Sequence, residues 1–201
     1  MSNSLFVSFK KLILLIIIIV TLISCFFIPA LYSNNFQDDS YDQAFSFIIG
    51  SSKYIWPTPG YTSINSYFGK RYSPTAGASS FHKGIDIGAP QGSNIIAITS
   101  GKITFTGFLG GGGYTITLSK DSMKVTYCHV SPHYIVEEGD IVRKGDIIGY
   151  VGPKNVYGVK GNPYTDSNGN PTNGATTGPH LHLGVRINDE YIDPLSLFED
   201  L

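Results

Sequence analysis

The sequence predicts a mainly β domain preceded by one apolar helix, and three observations predict it. Glycine and proline are abundant, 23 and 11 of 201 residues. They punctuate short runs rich in Tyr, Thr, Ile and Val, which favour strands joined by tight turns. His180 and His182 stand one residue apart inside an alternating apolar run, the period-two signature of a short strand. Residues 12–31 are almost unbroken apolar sequence without a charge, and about 20 such residues match the hydrocarbon thickness of a bilayer.

The N-terminal elements follow from charge and hydropathy. Residues 1–11 end in Lys10 and Lys11, whereas Asp38, Asp39 and Asp42 follow the apolar run. A basic flank stays in the cytoplasm, so 1–11 is read as a cytoplasmic N-terminus and 12–31 as an uncleaved transmembrane signal anchor. The rest of the chain then faces outwards. Two readings compete: a removable signal sequence, and a lipoprotein, because Leu22-Ile23-Ser24-Cys25 resembles a lipobox. Against the lipoprotein, Phe26-Phe27-Ile28 continues the apolar run, which suits Cys25 as a small apolar residue of a membrane helix. Residues 32–55 mix Asn, Asp, Ser and Gln with scattered Phe and Ile. They read as an extracytoplasmic linker with a short helix around 41–49, able to reach tens of ångströms.

From Trp56 the pattern changes to turns and strands, and 56–201 reads as the folded domain. Pro57 to Gly60 makes a turn, and strands are expected at 95–99, 102–107, 114–119 and 123–130. The four glycines 110–113 lack the Gly-Lys-Ser/Thr that a phosphate-binding loop needs, so they read as a hairpin end. A turn is expected at 121–124, a turn-strand-turn-strand unit at 137–149 and a closing hairpin at 187–194. Residues 153–175 form a long loop rich in Gly, Asn, Pro and Tyr, and such loops are usually functional. Within it Asp166, Asn168 and Asn170 resemble the opening of a calcium loop, but Pro171 and Thr177 stand where Gly and Glu are required. Turn chemistry is the better reading.

With 14 basic and 15 acidic residues the net charge is −1, which offers no basic footprint for nucleic acid. Cys25 and Cys128 fall in different environments, so no disulfide is expected. His133 lies outside any motif and reads as an exposed loop histidine.

The chemistry gathers in two places. His82 and Asp86 supply an imidazole and a carboxylate, and His180 and His182 point to one face of their strand. These are the usual ligands of a catalytic zinc, which takes three protein groups and leaves a fourth position open. Four candidates exceed three by one, and hydrolysis needs an acid or base beside the metal. His129 is a further candidate for that role. Strand alternation over 123–130 puts Val125, Tyr127 and His129 on one face and Cys128 on the other, so Cys128 reads as core.

His-x-x-x-Asp at 82 and 86, Tyr-x-His at 127 and 129, and Gly-Pro-His-Leu-His at 178–182 resemble the motifs of the lysostaphin-like (LytM-type) zinc metallo-endopeptidases, which cut peptide cross-links of bacterial peptidoglycan. The likeness spans about 56–198. It implies that His82, Asp86 and His182 bind one zinc ion and that His129 and His180 are catalytic. It implies an antiparallel barrel-sandwich domain with long groove-forming loops, peptidoglycan peptides as substrate and, with the anchor, a membrane-tethered enzyme. Phe68-Gly69-Lys70-Arg71 matches the family's Phe-Gly-x-Arg, with Arg71 read as a structural hydrogen-bonding fork. Some members carry a tyrosine shortly before the first metal histidine to assist the oxyanion; 74–81 has none, which leaves Tyr72 or Tyr127 as substitutes or the role absent. The alternative is a non-hydrolytic peptidoglycan-binding or envelope scaffold domain of the same fold. Such relatives typically lose ligands, and here none is missing. A lipoyl-type carrier, hinted at by Lys124 beside Met123, leaves the histidines unexplained.

Overall fold

A computed structural model describes residues 52–198. The cytoplasmic segment, the anchor at 12–31, Cys25 and nearly all of the linker lie outside the described residues. Among the described residues no helix is long and apolar enough to cross a membrane.

Short strands dominate, as the turn-rich composition requires. β1 (Ile64–Ser66), β2 (Gly69–Lys70), β3 (Phe81–His82), β4 (Ile85–Ile87) and β5 (Asn94–Ile96) come first. The long strands β6 (Gly101–Phe108), β7 (Tyr114–Lys120) and β8 (Met123–Cys128) follow, then β9 (Ile141–Val142) and β10 (Ile147–Tyr150). β11 (Leu181–Ile187) and β12 (Glu190–Ile192) close the fold. The main sheet is antiparallel in the order β1-β4-β11-β8-β7-β6-β9, with β12 sharing the edge of β11 beyond β4; β5–β10 and β2–β3 are separate pairs.

Alternation divides the main sheet into two faces. Ile85 and Ile87 of β4, Leu181, Leu183 and Val185 of β11, and Val125 and Tyr127 of β8 are all fully buried in one core with Ile95, Ile98 and Ile148. Each such side chain contributes about 1.5–3 kcal/mol, which pins the register. The residues between them, Asp86, His182, Gly184 and Thr126, therefore face the other way and form the floor of a groove.

Two expectations need correction. The turn expected at 121–124 is confined to Asp121 and Ser122; Met123 and Lys124 belong to β8, where Lys124 Nζ pairs with Asp189 at 2.9 Å. Strand alternation also fails at the end of β8. His129 has φ +59, a left-handed turn that reverses its side chain, so His129 joins Cys128 on the groove side while Tyr127 stays in the core. The segment 153–175 is built on turns: Asp166 Oδ1 accepts from the Asn168 and Asn170 amides at 2.9 and 3.0 Å, and its Oδ2 lies 3.4 Å from Lys154 Nζ. Those backbone and amide hydrogen bonds outweigh the effect of its burial and hold the Asp166 carboxyl down to about 2.

Candidate active site

The register of the sheet assembles the cluster. Asp86 of β4 sits directly opposite His182 of β11, and both point to the groove because their neighbours are committed to the core. His82 arrives from β3, two residues before Gly84. A Cβ on Gly84 would meet the Leu183 carbonyl oxygen well inside contact distance and His182 Cε1 at 2.8 Å. Only a residue without a side chain allows that approach.

The result is a tight group of acceptors. His82 Nε2 lies 2.8 Å from His182 Nδ1 and 3.1 Å from Asp86 Oδ1, and His182 Nδ1 lies 2.9 Å from the same oxygen. His82 Nδ1 meets the Tyr67 carbonyl at 2.9 Å. A carbonyl only accepts, so Nδ1 carries the proton and Nε2 presents a lone pair to its neighbours. Three acceptor atoms this close repel unless a proton or a cation lies among them. Bonds of 2.0–2.1 Å in a tetrahedron separate ligand atoms by about 3.3 Å, close to the spacing here. Among the described residues, His82, Asp86 and His182 form the group able to hold a metal ion, and two imidazoles with one carboxylate suit a divalent metal of borderline softness.

Asp86 is ionised. Burial alone would raise its pKa, but the imidazoles of His180, His182 and His82 gathered around it reverse this and hold it far below the usual carboxylate range. Its second oxygen accepts from Arg71 Nη1 at 3.0 Å, and the same Nη1 reaches Ser66 Oγ at 2.6 Å. Arg71 is thus a fork inside the fold, as expected, and its specific task is to hold the Asp86 carboxylate. Burial pushes the pKa of His182 down despite the favourable Asp86 charge.

His129 and His180 lie beside the cluster with ring centroids 4.6 Å apart. His129 Nδ1 donates to the Asn173 carbonyl at 2.7 Å and His180 Nδ1 to the Gly178 carbonyl at 2.9 Å. Both rings therefore turn an unprotonated Nε2 away from those carbonyls, that of His180 standing 3.5 Å from Asp86 Oδ1. Burial, helped by the neighbouring His180 and His182, pushes the His129 pKa down to about 3. Its left-handed backbone is secured on both sides: its amide donates to Gly112 at 2.8 Å and its carbonyl accepts from Gly152 at 2.9 Å.

Asn173 was invisible in the sequence. It is fully buried, accepts from the Tyr114 amide at 2.7 Å and donates to the Val130 carbonyl at 3.0 Å. The long segment 153–175 thereby carries the partner of His129. Of the two substitute tyrosines, Tyr127 is excluded: it is fully buried and its hydroxyl accepts from the Ile98 amide at 2.9 Å. Tyr72, 99% exposed, lines the groove. Cys128 is buried with a thiol pushed up to about 12 by desolvation, and it stands outside the metal-binding group. His133 is exposed and does not line the groove. The groove encloses about 620 Å³.

Comparisons with known proteins point the same way. A sequence profile of peptidase family M23 matches residues 80–194. The DD-carboxypeptidase/endopeptidase Mpg of Neisseria meningitidis serogroup B is 36% identical over 138 residues, 68% of this chain and 27% of Mpg. This chain thus spans about a quarter of that relative's length. Among solved structures, the catalytic domain of the antimicrobial peptidase lysostaphin from Staphylococcus simulans is 28% identical with a TM-score of 0.54, covering 68% of this chain and 92% of that one. A zinc-containing peptidase from Vibrio cholerae is 26% identical with a TM-score of 0.53, covering 68% and 37%.

Proposed function

The chain belongs to peptidase family M23, and on that premise we propose that it is a zinc metallo-endopeptidase that hydrolyses peptide bonds of bacterial cell-wall peptidoglycan. The observation that carries this reading is the convergence of His82 Nε2, Asp86 Oδ1 and His182 Nδ1 within 3.1 Å of one another, with two further imidazoles alongside. These three residues hold the ion; His129 and His180 do the proton work.

Zinc in this position supplies a Lewis acid for the scissile carbonyl and acidifies water at neutral pH. The remaining steps belong to the chain. Arg71 and the histidines keep Asp86 charged and oriented. His129 and His180, each with its Nδ1 proton committed to a backbone carbonyl, enter as acceptors at Nε2. Either takes a proton from the attacking water and, once charged, donates it to the leaving amine. Burial disfavours the charged form of His129.

The proposed organisation places residues 1–11 in the cytoplasm, 12–31 in the cell membrane and 32–55 as a tether holding the peptidase domain, 56–201, against the wall. Anchoring through Cys25 is the competing form of the same localisation. The test incubates the full chain in detergent with purified walls, with and without a chelator, and identifies new amino termini by mass spectrometry. Chelator-sensitive amines restored by zinc are expected. Wall binding without new amines overturns the enzyme and leaves the scaffold.

A further inference from the structure

Beyond the metal cluster the groove follows β11, where Gly184 and Arg186 continue the row begun by His182. Arg186 sits opposite Tyr191 of β12. Its Cζ lies 5.4 Å from the Tyr191 ring centroid, and Lys83 Nζ, reaching over from the turn between β3 and β4, lies 5.0 Å from the same centroid. One aromatic ring thus steadies two cations at the end of the groove, a contact worth about 0.5–1 kcal/mol each at exposed sites.

Those two charges lack adequate partners among the described residues. Arg186 Nε is enclosed without an acceptor, and its Nη1 comes no nearer than 3.8 Å to Asp189, whose Oδ1 already receives Lys124 Nζ at 2.9 Å. Glu190 pairs with Ile187 and alternation sends it to the opposite face from Tyr191. Asp86 is the sole acid among the described residues lining the groove, and Arg71 and the histidines engage it. In a chain of net charge −1, the far end of the groove is a local excess of positive charge, which draws anions.

We infer that Lys83 and Arg186 form a carboxylate subsite, so that the groove selects peptides bearing a free carboxylate within about four residues of the scissile bond; this rests on the peptidase reading. The spacing comes from β11 itself. Four residues separate His182 from Arg186, about 13 Å at the strand rise, which an extended substrate matches residue for residue. Tyr191 holds both cationic heads at this end of the groove, where a substrate carboxylate meets them.

The test uses the full chain, zinc-loaded, and peptide pairs differing only by Glu against Gln at one to four residues on either side of the scissile bond. Both kcat/KM and Kd, the latter by fluorescence anisotropy, are measured for each pair. At low ionic strength the acidic peptide at one or more positions is favoured about fivefold to tenfold, as two partly exposed ion pairs allow. Lys83→Gln and Arg186→Gln bring the ratio towards one, Arg186→Lys retains most of it, and 0.5 M salt erodes it, since exposed pairs are screened to about 4–5 Å at that strength. Equal rates and affinities for every pair, or a preference that survives the double substitution Lys83→Gln with Arg186→Gln, overturn the subsite while leaving the peptidase standing. Discrimination in binding with no cleavage of either peptide does the reverse.

Discussion

Replacing Asn173 with alanine should damage both the fold and the placement of His129 beside His180. The side-chain amide accepts from the Tyr114 amide at 2.7 Å and donates to the Val130 carbonyl at 3.0 Å, in a residue with no exposed surface. Truncation orphans both groups, at about 1–3 kcal/mol each, so the loss should be about 2–6 kcal/mol. In a domain of this size that lowers Tm by roughly 10 °C, at about 2–4 °C per kcal/mol. The Asn173 carbonyl also holds the His129 Nδ1 proton at 2.7 Å, and a shift of the segment that carries it misplaces the ring. A misplacement of about 1 Å costs on the order of a hundredfold in rate. Asn173→Asp should fare as badly, because a carboxylate oxygen then faces the Val130 carbonyl. The assays are thermal melting of the zinc-loaded chain and kcat on a soluble peptide well below the variant's Tm. Melting within about 2 °C of the parent with unchanged kcat would refute the assignment of Asn173 as the shared support of the sheet and His129.

Three further outcomes separate roles within the site. His82→Ala, Asp86→Asn and His182→Ala should lose bound zinc measured by mass spectrometry of the native protein, whereas His129→Gln and His180→Gln should keep it and lose activity; zinc retained in all five contradicts the division. Gly84→Ala forces a methyl against the Leu183 carbonyl and His182 Cε1, so it should cost about 1–3 kcal/mol and weaken zinc binding, while Gly88→Ala, which meets only the exposed Asn65 amide at 3.0 Å, should be tolerated. The third concerns pH in the metal-free protein. His129 is depressed from 6.5 to about 3 when folded, so between those values the unfolded chain binds the extra proton and stability falls as pH drops. The slope is at most about 1.4 kcal/mol per pH unit from this residue, with His182 adding to it in the same sense. Denaturant melts of His129→Gln should show a shallower slope than the parent; identical slopes would mean that His129 titrates normally in the fold.

Much of the site is legible in the sequence because it depends on side-chain identity and period. His182 and Asp86 each sit between core residues, so alternation alone turns both to one face, and antiparallel pairing of β4 with β11 brings them opposite. The strands at 102–107 and 114–119 were visible for the same reason. Alternation misled at His129 because it assumes extended backbone throughout, and a non-glycine residue at φ +59 has no signature among 20 side-chain types. Left-handed histidine is tolerated there because Gly112 and Gly152 bond its amide and carbonyl, long-range partners that no local reading can supply. Arg71 reads as a fork from the sequence, yet its partner lies 15 residues away and is equally hidden.

The protonation pattern is hidden for a deeper reason. Three of the four imidazoles in the site present Nε2 because their Nδ1 protons go to the carbonyls of Tyr67, Asn173 and Gly178. Every residue owns a carbonyl, so the chemistry of these positions is conformational and leaves no trace in residue type. Tyr67 is 64% exposed and Gly178 has open space around its Cα, so neither side chain is what serves the site. What the fold contributes there is the direction of a peptide group, set by the turn before β2 and by the long segment that leads into β11. His182 is the exception that fits the rule: its Nδ1 faces Asp86 and His82. It is also the imidazole embedded in the long central strand, where the ladder has already claimed the neighbouring carbonyls. A strand histidine can therefore meet a carboxylate across the register, whereas those set in turns or at strand ends are aimed by free backbone oxygens, and the site uses both kinds.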